Sequence, residues 1–202
     1  MEAIEGGDNM KKAITDYLSG LGEIFLKLQI ADVDNKPIDL AAGLEKLINL
    51  IVQQTGKSCK VIFIGNGGSA SIASHQAIDY FKNGGMRAIC FTDSSLLTCL
   101  SNDFGYQYVF EKPIEMFADQ GDVLIAISSS GKSENILRGV EAGRKKGCHV
   151  ITLSGFKPDN PLRNKGDMNF YVPSMSYGYV EIAHLALCHC VVDMIIGGKH
   201  RG

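Results

Sequence analysis

The sequence predicts an α/β fold: a doubly wound, five-stranded parallel sheet flanked by helices and preceded by an N-terminal helical hairpin. Two observations carry this. From Lys60 onward, short apolar runs alternate with helical segments, the pattern of parallel strands covered on both faces. Before Lys60, two amphipathic segments each repeat apolar residues at spacings of three and four.

Taken in order, the first segment runs from about Met10 to Ala31 and aligns Ile14, Leu18, Leu21, Phe25 and Leu28. The second follows Pro37 and aligns Leu40, Leu44, Leu47, Ile48 and Ile51. Both helices need an apolar partner, either the rest of the chain or an identical subunit. The predicted strands are Val61–Gly65, Ala88–Phe91, Val123–Ser128, His149–Leu153 and Asn169–Val172. Helices are predicted near Ser69–Lys82, Ser95–Asp103, Val109–Ala118, Ser133–Lys146 and Pro161–Lys165, with a last long one from about Tyr179 to Ile196. Residues 1–9 read as a flexible extension and 10–198 as one domain, without internal repeat or long linker.

Composition excludes several classes. Twenty basic residues against 22 acidic ones give a formal charge of −2, no field for a nucleic-acid backbone or an anionic membrane. The six cysteines form no CxxC pair and sit mostly in apolar runs, as free thiols of a reducing cytoplasm would. The polar, acidic start lacks the basic and apolar regions of a secretory signal, and no apolar run was expected to span a membrane.

In a doubly wound sheet, ligands sit beyond the carboxyl ends of the strands. Two strand-to-helix loops there suit an anion. Gly65-Asn66-Gly67-Gly68-Ser69 lets backbone approach a ligand at a helix N-terminus, and it is not a nucleotide GxGxxG fingerprint. Ser128-Ser129-Ser130-Gly131-Lys132-Ser133 offers four hydroxyls before another helix, with Ser133 placed as helix cap or ligand.

These two loops, with Ser101-Asn102-Asp103-Phe104-Gly105 and Gly121-Asp122-Val123-Leu124, resemble the sugar isomerase (SIS) family, and within it the bacterial phosphoheptose isomerases. The resemblance covers nearly the whole chain. It implies a homotetramer built partly by the N-terminal helices, and an aldose–ketose isomerase acting on sedoheptulose 7-phosphate. It further implies that Asn66, Gly67, Gly68 and Ser69 contact the sugar phosphate, that Asn102 and Asp103 sit by the sugar, and that Ser128, Ser129, Ser130 and Ser133 bind the phosphate.

Isomerisation through an enediol needs acid–base side chains facing the reacting carbons. His75 and Asp79 are four apart and share a helix face, whereas Glu181 and His189 are eight apart, about 80° around a helix axis. The resemblance implies Asp79 and His189 as the acid–base pair, Glu181 in the substrate pocket, and His75, Asp79, Glu181 and His189 as ligands of a divalent ion, zinc. His184 competes with His189, because Glu181 and His184 have ExxH metal-ligand spacing.

Several positions depart from the family pattern. Asp79 stands where the family has glutamate, which withdraws a base by about 1 Å, and Glu181 replaces glutamine, which adds a negative charge. Gly178 replaces an aspartate near the substrate, Lys132 an asparagine, and three serines stand for serine-threonine-serine. These changes leave open a different sugar phosphate, or a non-catalytic member of the replication-initiator-associating or sugar-sensing kind. Each residue also has a plain structural alternative, such as a helix cap, a surface acid or an interface histidine.

Overall fold

The computed structural model describes residues 7–199, so residues 1–6 of the expected extension lie outside the described residues. Gly7 already opens the first helix, α1 (Gly7–Ile24). The helix ends seven residues short of the predicted Ala31. A 3-10 turn, Phe25–Lys27, leads instead into a short strand, β1 (Gln29–Asp32), followed by β2 (Pro37–Ile38). The expected helical hairpin is therefore helix, β-hairpin, helix, closed by α2 (Leu40–Gly56), whose N-cap Asp39 accepts from Ala41 and Ala42.

The reason is local. Asp32 Oδ1 accepts from the backbone N–H of Asp34 and of Lys36, both at 2.9 Å, and Asn35 adopts φ 60°. That acid-centred turn folds the chain back, and the backbone groups of Gln29–Asp32 then pair with another strand. Backbone pairing and burial of Ile30 outweigh the helical spacing of this segment.

The remainder follows the predicted alternation: β3 (Val61–Gly65), α3 (Gly68–Ile78), β4 (Ala88–Cys90), α4 (Ser94–Asp103), α5 (Glu111–Phe117), β5 (Val123–Ser128), α6 (Glu134–Lys145), β6 (His149–Ser154), β7 (Met168–Tyr171) and α7 (Tyr177–Lys199). Pro161–Asn164 forms a single 3-10 turn where a helix was expected. The sheet order is β2-β1-β7-β6-β5-β3-β4. The five predicted strands are all present and mutually parallel, and β1 and β2 extend the sheet to seven by antiparallel pairing.

Alternate residues of the central strands feed two cores, because successive side chains of a strand point to opposite faces. Phe63, Ile125, Ile127 and Ile151 pack with Tyr80, Leu187 and Val191 on one face. Ile62, Ile64, Leu124 and Ala126 pack with Phe110, Ile114, Ile136 and Val140 on the other. Each fully buried Leu, Ile or Phe contributes about 1.5–3 kcal/mol.

Contrary to the expectation that no segment would suffice, Tyr177–Gly198 is long and apolar enough to cross a membrane by length and composition. Its Val180, Ala183, His184, Leu187, Cys188 and Val191 are buried, and α7 packs on α1, α2 and α3, as a core helix does. From β3 the chain proceeds to β4 on one side and later to β5 on the other. The crevice between the ends of β3 and β5 is therefore the switch point where the two glycine- and serine-rich loops meet.

Candidate active site

A cavity of about 230 Å³ opens at this switch point, lined by Asn66, Gly67, Gly68, Ser69, Ile127, Ser128, Ser129, Ser130, Ser133, Tyr177 and Glu181. All eight residues predicted from the two loops thus come together. Gly67 sits at φ 54° as the N-cap of α3, a left-handed conformation that side chains disfavour, and its carbonyl accepts from Ala70 and Ser71. At Gly65 the backbone of Ser69 and Ala70 fills the space a side chain would need.

Two helices aim their N-termini here. The first amides of α3 and α6 have no intrahelical acceptor and carry the positive end of the helix dipole. Ser133 occupies the N-cap of α6, yet its side chain makes no capping bond, leaving the hydroxyl for a ligand. Ser129 Oγ is buried without a hydrogen-bond partner, a cost that a ligand oxygen would relieve. Ser128 Oγ accepts from Gly131 N–H at 3.2 Å and Ser130 Oγ from Lys132 N–H at 3.3 Å, so these two also hold the loop's own turn. Lys132 itself is exposed.

Behind the loop, Asn160 is fully buried. Its amide donates to the carbonyls of Gly155 (3.1 Å) and Lys157 (2.9 Å), and Oδ1 accepts from Arg163 N–H (3.1 Å). A side chain at Gly131, φ 62°, would overlap Asn160.

A second group lies further along α3, at its end, and on α7. His75 Nε2 is 3.3 Å from Asp79 Oδ2, and His189 Nδ1 is 3.7 Å from the same oxygen. The two imidazole rings meet edge to face, centroids 5.3 Å apart. All three ligand atoms lie within 4.8 Å of one another. Asp79 Oδ1 accepts from Asn83 at 3.2 Å, which fixes the carboxylate. Asp79 opens a π-helical turn, Asp79–Asn83, in which Gly84 N–H bonds back five residues to the Asp79 carbonyl. Such turns recur at functional sites, and the sequence predicts only an unbroken helix here.

Glu181 does not join this group. Its carboxylate lies against Gly68, where any side chain would overlap it, and so it lines the hydroxyl-rich cavity. The predicted four-residue cluster thus divides into three side chains that could share a metal ion and one cavity acid. Gly68 meets Glu181 and His75 meets His189, so α3 and α7 run in the same direction. The cluster stands seven residues beyond Gly68 and eight beyond Glu181, about 10–12 Å along the helices.

His184 is resolved by burial. It is wholly inside, its Nε2 3.2 Å from the Ser154 carbonyl, and burial pushes its pKa down to about 4. It is a neutral core residue, and His189 is the histidine that reaches the cluster. Asn102 and Asp103 end α4 as exposed residues. They bond to each other at 3.0 Å and are absent from the cavity lining. The same segment instead contributes Tyr106, whose hydroxyl donates to Asn66 Oδ1 at 2.9 Å. At Gly178 a side chain would overlap the Tyr17 hydroxyl of α1.

Sequence reasoning missed Tyr106, Tyr177 and Asn135. Asn135 is 3% exposed and pairs with Asn66 through two amide hydrogen bonds of 2.8 and 2.9 Å. A polar residue two places after the serine loop is an available signal, but burial alone makes it informative.

The SIS domain family matches residues 33–155. The phosphoheptose isomerase of Serratia proteamaculans is 42% identical over 142 residues, which cover 67% of this chain and 73% of that protein. That of Proteus mirabilis is 37% identical over 159 residues, 76% of this chain and 82% of that protein. The structure of phosphoheptose isomerase from Neisseria gonorrhoeae superposes with a TM-score of 0.80 at 27% identity, covering 92% of this chain and 99% of that one.

Proposed function

The chain belongs to the SIS domain family, and from that premise we propose that it is an aldose–ketose isomerase of a phosphorylated sugar, interconverting sedoheptulose 7-phosphate and D-glycero-D-manno-heptose 7-phosphate. One observation carries the reading: a hydroxyl-lined anion cavity and a His–Asp–His cluster stand in line on the same pair of helices. The phosphate is held by Ser128, Ser129, Ser130 and Ser133 and by the amides of Asn66–Ser69, which places the far end of a long sugar chain toward the cluster.

There, the Asp79 carboxylate takes the proton from C1 of the ketose while His189, as general acid, gives one to the oxygen on C2, forming the enediol. Asp79 then returns its proton to C2 as His189 recovers one from the oxygen on C1, and the aldose results. His75, 3.3 Å from Asp79, and Asn83 orient the carboxylate. Two imidazoles and a carboxylate with donor atoms this close match a zinc site that keeps an open position. His75, Asp79 and His189 would hold the ion, and when bound it would supply Lewis-acid polarisation of the carbonyl oxygen in place of the proton from His189, whose ligating nitrogen then carries none.

The protein works in the cytoplasm, a reading its six unpaired cysteines support. It assembles as a homotetramer, for which the exposed apolar residues Met10, Ile14 and Leu18 on α1 provide a face. The test is incubation with sedoheptulose 7-phosphate and zinc, following aldose formation. Asp79→Asn and His189→Ala should each lower kcat at least a hundredfold. Absence of turnover on a panel of ketose and aldose phosphates that still bind refutes the proposal.

A further inference from the structure

Asn66 and Ser133 line both the serine-loop cavity and a neighbouring cavity of about 380 Å³, whose wall also includes Tyr106 and Asn135, and of the two it is Asn66 that is bonded to both Tyr106 and Asn135. Its amide is unusually constrained. Oδ1 accepts from Asn135 at 2.9 Å and from the Tyr106 hydroxyl at 2.9 Å, and Nδ2 donates to Asn135 Oδ1 at 2.8 Å. An asparagine amide has two acceptor lone pairs and two N–H donors. Both lone pairs and one N–H are therefore committed within the protein, and a single N–H is left.

We propose that Asn135 and Tyr106 are positioning residues for the reaction: together they clamp Asn66 so that it presents one N–H, and no acceptor, to the bound sugar phosphate. The atom taken there is an acceptor oxygen of the substrate, phosphoryl or hydroxyl.

The parts contribute differently. Asn135, on the first turn of α6 just after Ser133, is buried and pairs with Asn66 through both its amide oxygen and its amide nitrogen, so a change in either residue removes both bonds. Tyr106 approaches from a different segment, the 3-10 turn Tyr106–Tyr108 that follows Gly105 at φ 97°. The clamp thus ties the end of α4 to the loop after β3 and the start of α6. It gives the Asn102–Gly105 segment a role at the site although Asn102 and Asp103 themselves do not reach the cavity. Hydrogen bonds in such a network reinforce one another, so Asn66 without its partners samples amide orientations that offer the ligand an oxygen instead.

The substrate named here rests on the proposed isomerase function, and the test separates the two. Binding of sedoheptulose 7-phosphate is measured by calorimetry alongside turnover for the wild type, Tyr106→Phe, Asn66→Ala and the double variant. Tyr106→Phe removes only a hydroxyl from a largely exposed ring, so folding is retained. It should weaken binding about fivefold, the equivalent of one ordinary hydrogen bond, and raise KM by more than it lowers kcat. In the Asn66→Ala background the same change should have no effect within twofold, because the residue it positions is gone. Asn135→Ala, which removes both bonds to Asn66 without adding charge, should reproduce the loss, again only when Asn66 is present. Independent, multiplicative effects in the double variant, or unchanged binding in Tyr106→Phe, overturn the clamp. Binding without turnover refutes the isomerase reading alone, and the cycle of binding constants still decides this one.

Discussion

Alanine at Gly131 would disturb the serine loop in two separable ways. The residue sits at φ 62°, where a side chain costs about 1–2 kcal/mol. The added methyl would also overlap Asn160, which is fully buried and cannot move without loosening bonds to Arg163, Gly155 and Lys157. Leaving one such group unpaired costs about 1–3 kcal/mol, so the expected loss is about 2–5 kcal/mol. Urea unfolding measures it as a lower midpoint at unchanged slope. Gly131 N–H bonds to both the carbonyl and the hydroxyl of Ser128, so affinity for inorganic phosphate should fall in parallel. In an Asn160→Gly background the overlap disappears, since the Asn160 Cβ itself lies 2.9 Å from the added methyl, and Gly131→Ala should then cost only the backbone share. A loss below about 1 kcal/mol in the wild-type background, against the range expected, would refute the account of how this loop is held.

Three further outcomes are expected. His184 titrates near 4 when folded and at about 6.5 when unfolded, so its contribution is intact above pH 6.5 and is lost as the pH falls toward 4, about 3 kcal/mol in full. Unfolding at pH 7 and pH 5 should show about 2 kcal/mol of this difference in the wild type, absent in His184→Gln; equal pH slopes would contradict it. Removing His75 or His189 should weaken zinc at least tenfold in competition with a chelator, because each would supply one of three donors, and unchanged affinity would dismiss the cluster as a metal site. Glu181→Gln removes a negative charge from the anion cavity and should tighten inorganic phosphate about thirtyfold, from about 2 kcal/mol of relieved repulsion between unit charges about 8 Å apart at an effective dielectric of about 20; weaker binding would mean that the carboxylate acts as a hydrogen-bonding ligand.

The parallel strands and both anion loops are legible in the sequence because each depends on near neighbours. A buried parallel strand reads as an unbroken apolar run, as in Val61–Gly65 and Val123–Ser128, and a strand-to-helix turn declares itself through glycine and serine. His75 and Asp79 are similarly legible, since helical spacing places residues four apart on one face. Residues 25–31 depart from the helix their spacing predicts because the fate of this segment depends on a partner more than 130 residues away: Ile30 pairs with Phe170.

What the sequence by itself determined is therefore the layered α/β architecture, the cavity-lining loops and the residue types able to move a proton. Only tertiary structure decided which of those side chains act together. Helical spacing leaves His184 and His189 as rivals, and it is the packing of α7 that buries the first against Ser154 and delivers the second to Asp79. It likewise turned Glu181 toward Gly68 and brought Asn66, Tyr106 and Asn135 into one network. Spacing along a helix specifies a direction about its own axis, whereas a site is made where directions from separate elements cross, and only their packing sets that point.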